Sequence, residues 1–266
     1  MLDLIAPEPA PAEPVLEARR LSVTVGRRPL LRSVDLRVEP GRVLGILGPS
    51  GAGKTTLLRC LNRLVDLVPE MSVGGEILLH GRSIRSREMD PDDLRARVGM
   101  LFQQPVIFPG SIAENVLFGV RHTRRPPRRT WPERIEQSLR EAALWEEVRR
   151  RLREPASSLS AGQQQRLCLA RVLAAEPEVL LLDEPTSALD AGATAAIEEL
   201  ILRLRERHAI VLVTHGLRQA RRIADSLVYL SARNGAGEVV ESGPCQDLFA
   251  RPRTPELARY LSRESA

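Results

Sequence analysis

The stretch "VLGILGPSGAGKT", residues 43–55, decides the fold. Its first five residues are apolar without alternation, as a strand covered on both faces inside a parallel sheet must be. The next eight match G-x-x-x-x-G-K-[ST], and the residues that follow carry the apolar spacing of a helix over 55–64. Strand, glycine loop and helix in that order make a phosphate cradle. Gly48, Pro49, Ser50, Gly51, Ala52 and Gly53 wrap the phosphates closely with backbone, and the helix start adds roughly half a positive charge at the same point. In this pattern Lys54 reaches the β- and γ-phosphates of a bound nucleotide, the Thr55 hydroxyl binds Mg2+, and Thr56 continues the binding turn.

The companion stretch is "VLLLDEP", residues 179–185. Four aliphatic residues drive a strand to the carboxyl edge of the sheet, where Asp183 is expected to hold the metal. Glu184 is expected to activate the attacking water as general base. An acidic pair at a strand end often only caps a turn, and the cradle is what lifts this one above that.

Outward from these two motifs, "LSVTV" and "VDLRV" alternate apolar and polar residues. They read as antiparallel strands joined by a basic turn over 26–29, with "GGEILLHG" as a further β segment. Residues from about 91 to 173 turn helical and arginine-rich, interrupted by a proline-and-arginine loop over 121–132. Sheet-like runs return at "IVLVTH", "SLVYLS" and "GEVVES", with a helical stretch at 191–208. Strands alternating with helices imply an α/β fold: a P-loop core of mostly parallel sheet flanked by helices, with an antiparallel β subdomain and an inserted helical subdomain. The expected organisation is a Pro/Ala-rich disordered leader over 1–14 and a single domain over 15–266, with the helical subdomain at about 91–173.

Hydrophobic residues make up 43% of the chain and no apolar run approaches the roughly 20 residues of a membrane span. No signal peptide is read at the start, so a soluble chain is expected, reaching any membrane through a partner. Cys60, Cys168 and Cys245 lack paired spacing and read as reduced structural thiols. A net charge of +5 is a mild surplus that a solvated surface explains, and the scarcity of aromatic residues argues against a base-stacking platform.

Five motifs, "GPSGAGKT", "LFQQP", "LSAGQ", "LLLDEPTSALD" and "VTH", occur in the order found in ATP-binding cassette (ABC) ATPases, and the resemblance spans about residues 15–261. It implies two cassettes paired head-to-tail, with the segment at 159–171 covering the ATP on the other copy. Ser160, Gly162 and Gln163 then contact that γ-phosphate in trans. An ordinary capping box would account for the same Ser160 and Gln163, and the two readings coexist. The family often has glycine where Ala161 stands, which a negative backbone φ tolerates. By the same resemblance Gln103 meets Mg2+ and the water, its loop senses the membrane subunit, and the groove beside residues 103–109 docks it, with Phe108 as a contact. His215 contacts the γ-phosphate and orients Glu184, and Asp190 serves communication across the pair. His80, His122 and His208 have no metal spacing and read as surface or structural groups. Such cassettes usually stack adenine on an aromatic residue where this chain has Val25, which implies weaker or less base-selective binding unless Arg27 or Arg28 covers the ring.

Within that superfamily, "LNRLVDLVPEMSVGGEILLHG", "ALWEEVRRRL" and "GEVVESGPCQDLF" are similar to phosphate-import ATPases, whereas His80, "THGLRQARRIAD" and "RRPPRR" depart from their pattern. The resemblance implies an ATPase that powers phosphate uptake from the cytoplasmic face of the membrane, with two transmembrane permease subunits and, indirectly, a solute-binding protein. The alternatives are an importer of polar amino acids or another oxyanion and, further off, a nucleic-acid-associated ABC ATPase. No nucleic acid is expected, because the chain has one cassette and no long coiled coil.

Overall fold

The computed structural model describes residues 13–122, 127–187 and 189–263. The ten strands among the described residues lie in one curled sheet. They are β1 (Leu16–Val25), β2 (Arg28–Val38), β3 (Val43–Leu47), β4 (Met71–Leu79), β5 (Arg82–Ser83), β6 (Val98–Leu101), β7 (Val179–Asp183), β8 (Ala209–Val213), β9 (Ser226–Arg233) and β10 (Ala236–Pro244), in the order β5-β4-β1-β2-β10-β9-β3-β8-β7-β6. The first four positions in that order pair antiparallel, and β9-β3-β8-β7-β6 pair parallel. The seam is a hairpin of β9 and β10 whose second strand touches β2 at one pair, Gly237 with Leu31.

The helices are α1 (Lys54–Leu61), α2 (Pro91–Arg97), α3 (Ile112–His122), α4 (Trp131–Glu141), α5 (Trp145–Val148), α6 (Ala161–Leu173), α7 (Ala191–Leu204), α8 (Leu217–Ile223), α9 (Cys245–Ala250) and α10 (Pro255–Arg263). The period of two in the parallel strands sorts their side chains between two cores. Val179 and Leu181 of β7, with Val211 and Val213 of β8, pack with Leu57, Leu58 and Leu61 of α1 and the inner face of the antiparallel strands. Leu180 and Leu182, with Ile210 and Leu212, pack instead with α3, α4, α6 and α7. Every residue of β3, β7 and β8 is buried, which is why these segments are apolar throughout except for Asp183 at the end of β7.

The expected hairpin of β1 and β2 is present, with its turn at Gly26 and Arg27. The helical texture expected from residue 91 is corrected. Residues 98–101 form β6, hydrogen-bonded in parallel to β7, and Gly99 there lies against Val172 and Pro177. Four apolar residues are too few for periodicity to separate strand from helix, and the neighbouring strand decides. Two further boundaries shift: the helix after the cradle ends at Leu61, and the loop expected over 121–132 gives way to α4 at Trp131. The leader expected over 1–14 lies outside the described residues except at 13 and 14.

Candidate active site

The cradle, Gln103, Asp183–Glu184 and His215 follow the carboxyl ends of β3, β6, β7 and β8, and these four strands lie side by side as β3-β8-β7-β6. Neighbouring strands are about 4.8 Å apart, so sheet order alone gathers groups scattered through the sequence. In open α/β sheets this carboxyl edge is where ligands bind.

Close packing explains the cradle's glycines. A Cβ on Gly48 would sit 1.9 Å from the Leu230 carbonyl oxygen, so β9 excludes any side chain there. Gly53 caps α1 at φ 93°, a left-handed conformation, and no side chain caps the helix. Its first amides are thereby left for an anion. Lys54 is 6% exposed, and its Nζ donates to the carbonyl oxygens of Gly48 at 2.7 Å and Pro49 at 3.0 Å. It is the one lysine among 266 residues; every other cationic side chain apart from histidine is arginine. A compact ammonium with rotatable donors is what a loop this tight admits, and a planar guanidinium is not. Ala52 is fully buried inside the loop, Pro49, Ser50 and Gly51 are exposed, and Thr55 and Thr56 are half-buried.

Asp183 ends β7 at 4% exposure, and the Thr55 hydroxyl donates to its Oδ1 at 3.2 Å. Burial pushes the Asp183 pKa up, against the Thr55 hydrogen bond, and the neighbouring Glu184 charge pushes it further. Two hard oxygen donors at hydrogen-bond distance, one carrying a charge that burial disfavours, fit a divalent cation such as Mg2+.

Glu184 lies one residue beyond, at φ 47°. A non-glycine residue held there costs about 1–3 kcal/mol and persists only where its surroundings impose it. Its amide donates to the Val213 carbonyl at 2.9 Å. His215 Nε2 meets its carboxylate at 2.6 Å, and Gln103 Nε2 donates to it at 2.9 Å and to the Ser187 hydroxyl at 3.3 Å. The structure thus joins Gln103 and His215 to the Glu184 carboxylate, with Asp183, which accepts from Thr55, next to it in the chain.

The loop after Gln103 is fastened to α6 by a stripe on that helix. Gln165 donates to the Phe102 carbonyl at 3.3 Å, the Cys168 thiol to that of Val106 at 3.5 Å, and Arg171 to Val106 again at 2.7 Å. Arg171 also covers the Phe108 ring at 4.4 Å, and buried Asn115 bonds both the amide and the carbonyl of Phe108 at 3.0 Å. Phe108, stacked on Phe118, is therefore an internal anchor of the loop; the apolar groups the loop exposes are Phe102 and Val106. Sequence reading missed Asn115, Arg171 and Ser187, whose partners are backbone or distant groups with no spacing to reveal them.

At the start of α6, Ser160 and Gln163 form a reciprocal capping box, and Ala161 is the first helical residue, so its methyl is accommodated. Gln163 Nε2 also donates to Glu147 at 2.7 Å, and Arg166 pairs with the same carboxylate at 2.6 Å. Gly162 is open enough that a Cβ would first meet Ala193 at 3.5 Å. Asp190 caps α7, accepting from the Ala193 amide at 2.9 Å. Val25 ends β1 half-buried, paired with Arg28 and Met71, and both Arg27 and Arg28 are exposed. The remaining described histidines are structural: His80 pairs with Glu178 at 2.5 Å, and buried His208 meets the Pro177 carbonyl at 2.7 Å; the His122 side chain lies outside the described residues. Burial pushes the Cys60 thiol up to about 12 and Cys245 to about 11, which leaves them unreactive.

A glycine cradle on a buried strand, a strand-end Asp-Glu pair and a polarising histidine, all on one sheet edge, define a P-loop nucleoside-triphosphatase. Residues 31–187 match the family model described as "ABC transporter". The chain belongs to the ABC transporter family, as one of its ATP-binding, ATP-hydrolysing subunits. It is 46% identical over 247 residues to the phosphate import ATP-binding protein PstB of Shewanella denitrificans, covering 93% of this chain and 89% of that one. Among solved structures it resembles cbiO1 from Clostridium perfringens, part of the ABC transporter complex cbiONQ, with TM-score 0.76, 26% identity and coverage of 94% and 99%. It also resembles a bacterial Atm1-family ABC exporter with ATP bound, with TM-score 0.78 and 25% identity, over 99% of this chain and 44% of the exporter.

Proposed function

We propose that the chain hydrolyses ATP to power import of inorganic phosphate, working as a pair of cassettes beneath two transmembrane permease subunits on the cytoplasmic face of the membrane. A solute-binding protein takes part indirectly. The observation that carries hydrolysis is the Glu184 carboxylate, met by His215 at 2.6 Å and Gln103 at 2.9 Å beside the cradle. The identity to a phosphate-import relative along nearly the whole chain supports the solute. Among the described residues no helix is long and apolar enough to cross a membrane, so translocation falls to partners.

In this reading the cradle amides and Lys54 hold the β- and γ-phosphates in line for attack, and Glu184 accepts the proton of the attacking water. His215 holds that carboxylate and approaches the γ-phosphate. Thr55, Asp183 and Gln103 would hold Mg2+, which when bound neutralises charge developing on the phosphate oxygens. Ser160, Gly162 and Gln163 act in trans: the capping box leaves the start of α6 as an ordered anion-receiving end on the nucleotide of the paired copy. Phe102 and Val106, exposed on the loop that carries Gln103, form the docking face for a permease subunit together with the groove of Leu67, Val68 and Met71.

The test is to purify the chain with its membrane subunits, reconstitute the assembly in proteoliposomes and measure ATP-dependent uptake of radiolabelled phosphate. Uptake of a polar amino acid or another oxyanion, with none of phosphate, would replace the solute assignment and leave the ATPase reading standing.

A further inference from the structure

Four residues beyond His215, on α8, Gln219 is 6% exposed, and its Nε2 donates to the Thr186 hydroxyl at 3.0 Å and to a Glu198 oxygen at 3.3 Å. Thr186 lies two residues after Glu184. Glu198, on α7 and 8% exposed, is in turn paired with Arg222 of α8 at 2.8 Å. The turn that carries Glu184 is thus tied through one amide to two helices. The same short segment that presents His215 to the carboxylate also holds the backbone behind it.

Two features separate this from ordinary packing. Glu184 sits in a left-handed conformation that its surroundings must impose, and the Thr186–Gln219 bond is a side-chain tie on the turn just beyond it. Among the described residues, Gln219 Oε1 is buried without a hydrogen-bond partner.

We infer that Gln219 is a positioning residue for ATP hydrolysis, fastening the turn after Glu184 so that its carboxylate stays within reach of His215 and Gln103. The inference rests on Glu184 being the general base. In steady-state hydrolysis by the full chain, measured well below the melting temperature, Gln219→Met lowers kcat about ten- to hundredfold and leaves KM for ATP within about twofold. Thr186→Val produces the same loss and Thr186→Ser restores the rate. The double variant Thr186→Val/Gln219→Met is no slower than Gln219→Met alone, because both substitutions break the Thr186–Gln219 bond. In a Glu184→Gln background Gln219→Met has no further effect. A wild-type kcat in Gln219→Met, additive losses in the double variant, or a rate loss that persists in the Glu184→Gln background would each overturn the role. Full activity of Glu184→Gln alone would instead overturn the reading beneath it. An inactive Glu184→Gln with a fully active Gln219→Met removes only the positioning role.

Discussion

The cradle and the start of α6 are both glycine-containing helix N-termini, and they treat their polar groups in opposite ways. At the cradle, Gly53 leaves α1 without a side-chain cap, Lys54 turns onto the loop's own carbonyls, and Asp183 is within reach of Thr55. At α6 the helix start is capped reciprocally by Ser160 and Gln163, and Gln163 and Arg166 lean on Glu147 within the same helical region. The first end is built to be completed by an anion and a cation. The second is complete as it stands and has only its exposed outer face to offer. In the proposed reading, one is a site and the other a surface offered to the site of a paired copy. The variants below separate them.

The largest effect is expected at the carboxylate. Glu184→Gln keeps ATP binding, measured with a fluorescent nucleotide, and loses hydrolysis by about 10²–10⁴-fold, measured as phosphate release. Turnover near the wild-type rate would take the base away from Glu184. Next is Lys54→Arg. Charge is preserved, yet the guanidinium cannot fold onto the Gly48 and Pro49 carbonyls, and hydrolysis falls by about 10²–10³. Because no other lysine exists, an amine-directed label should enter the chain only at Lys54 and the amino terminus. ATP should protect Lys54 from it, and labelling unaffected by ATP would move the phosphates elsewhere.

Ser160→Ala sharpens the contrast most directly. In dilute protein it should cost about 1 kcal/mol of stability through the lost cap and leave ATP affinity unchanged. In concentrated protein, where the proposed pairing of copies would be complete, hydrolysis should drop by about tenfold or more. An equal drop at every concentration would place Ser160 in its own copy's site and erase the distinction. The smallest effect belongs to Val25→Tyr, which should tighten ATP binding by up to about 1–3 kcal/mol by giving adenine an aromatic face; unchanged affinity by calorimetry would put the base elsewhere.

Much of the site was legible because its parts are contiguous. Residues 43–55 carry strand, loop and helix in one run, and 179–184 carry strand and carboxylates in another, so covalent neighbourhood already fixes their geometry. Ser160 and Gln163 are three residues apart, one helical turn, and the capping box follows from that spacing. The strand β6 was not legible, since four apolar residues have no period of their own. Phe108 was legible as apolar but not as inward-facing. Only Arg171, Asn115 and Phe118, brought against it by α3 and α6, decide that.

By itself the sequence determined an α/β domain of the ABC family with a glycine cradle, a strand-end Asp183–Glu184 pair and a capped helix at Ser160. These are properties of short segments, set by backbone stereochemistry and local hydrogen bonding. Tertiary structure alone decided that Gln103, Glu184 and His215 meet at one carboxylate and that Gln219 ties the turn behind it. Those groups are far apart along the chain. What joins them is the placing of β7 between β6 and β8, a choice made by burying apolar faces across the whole sheet.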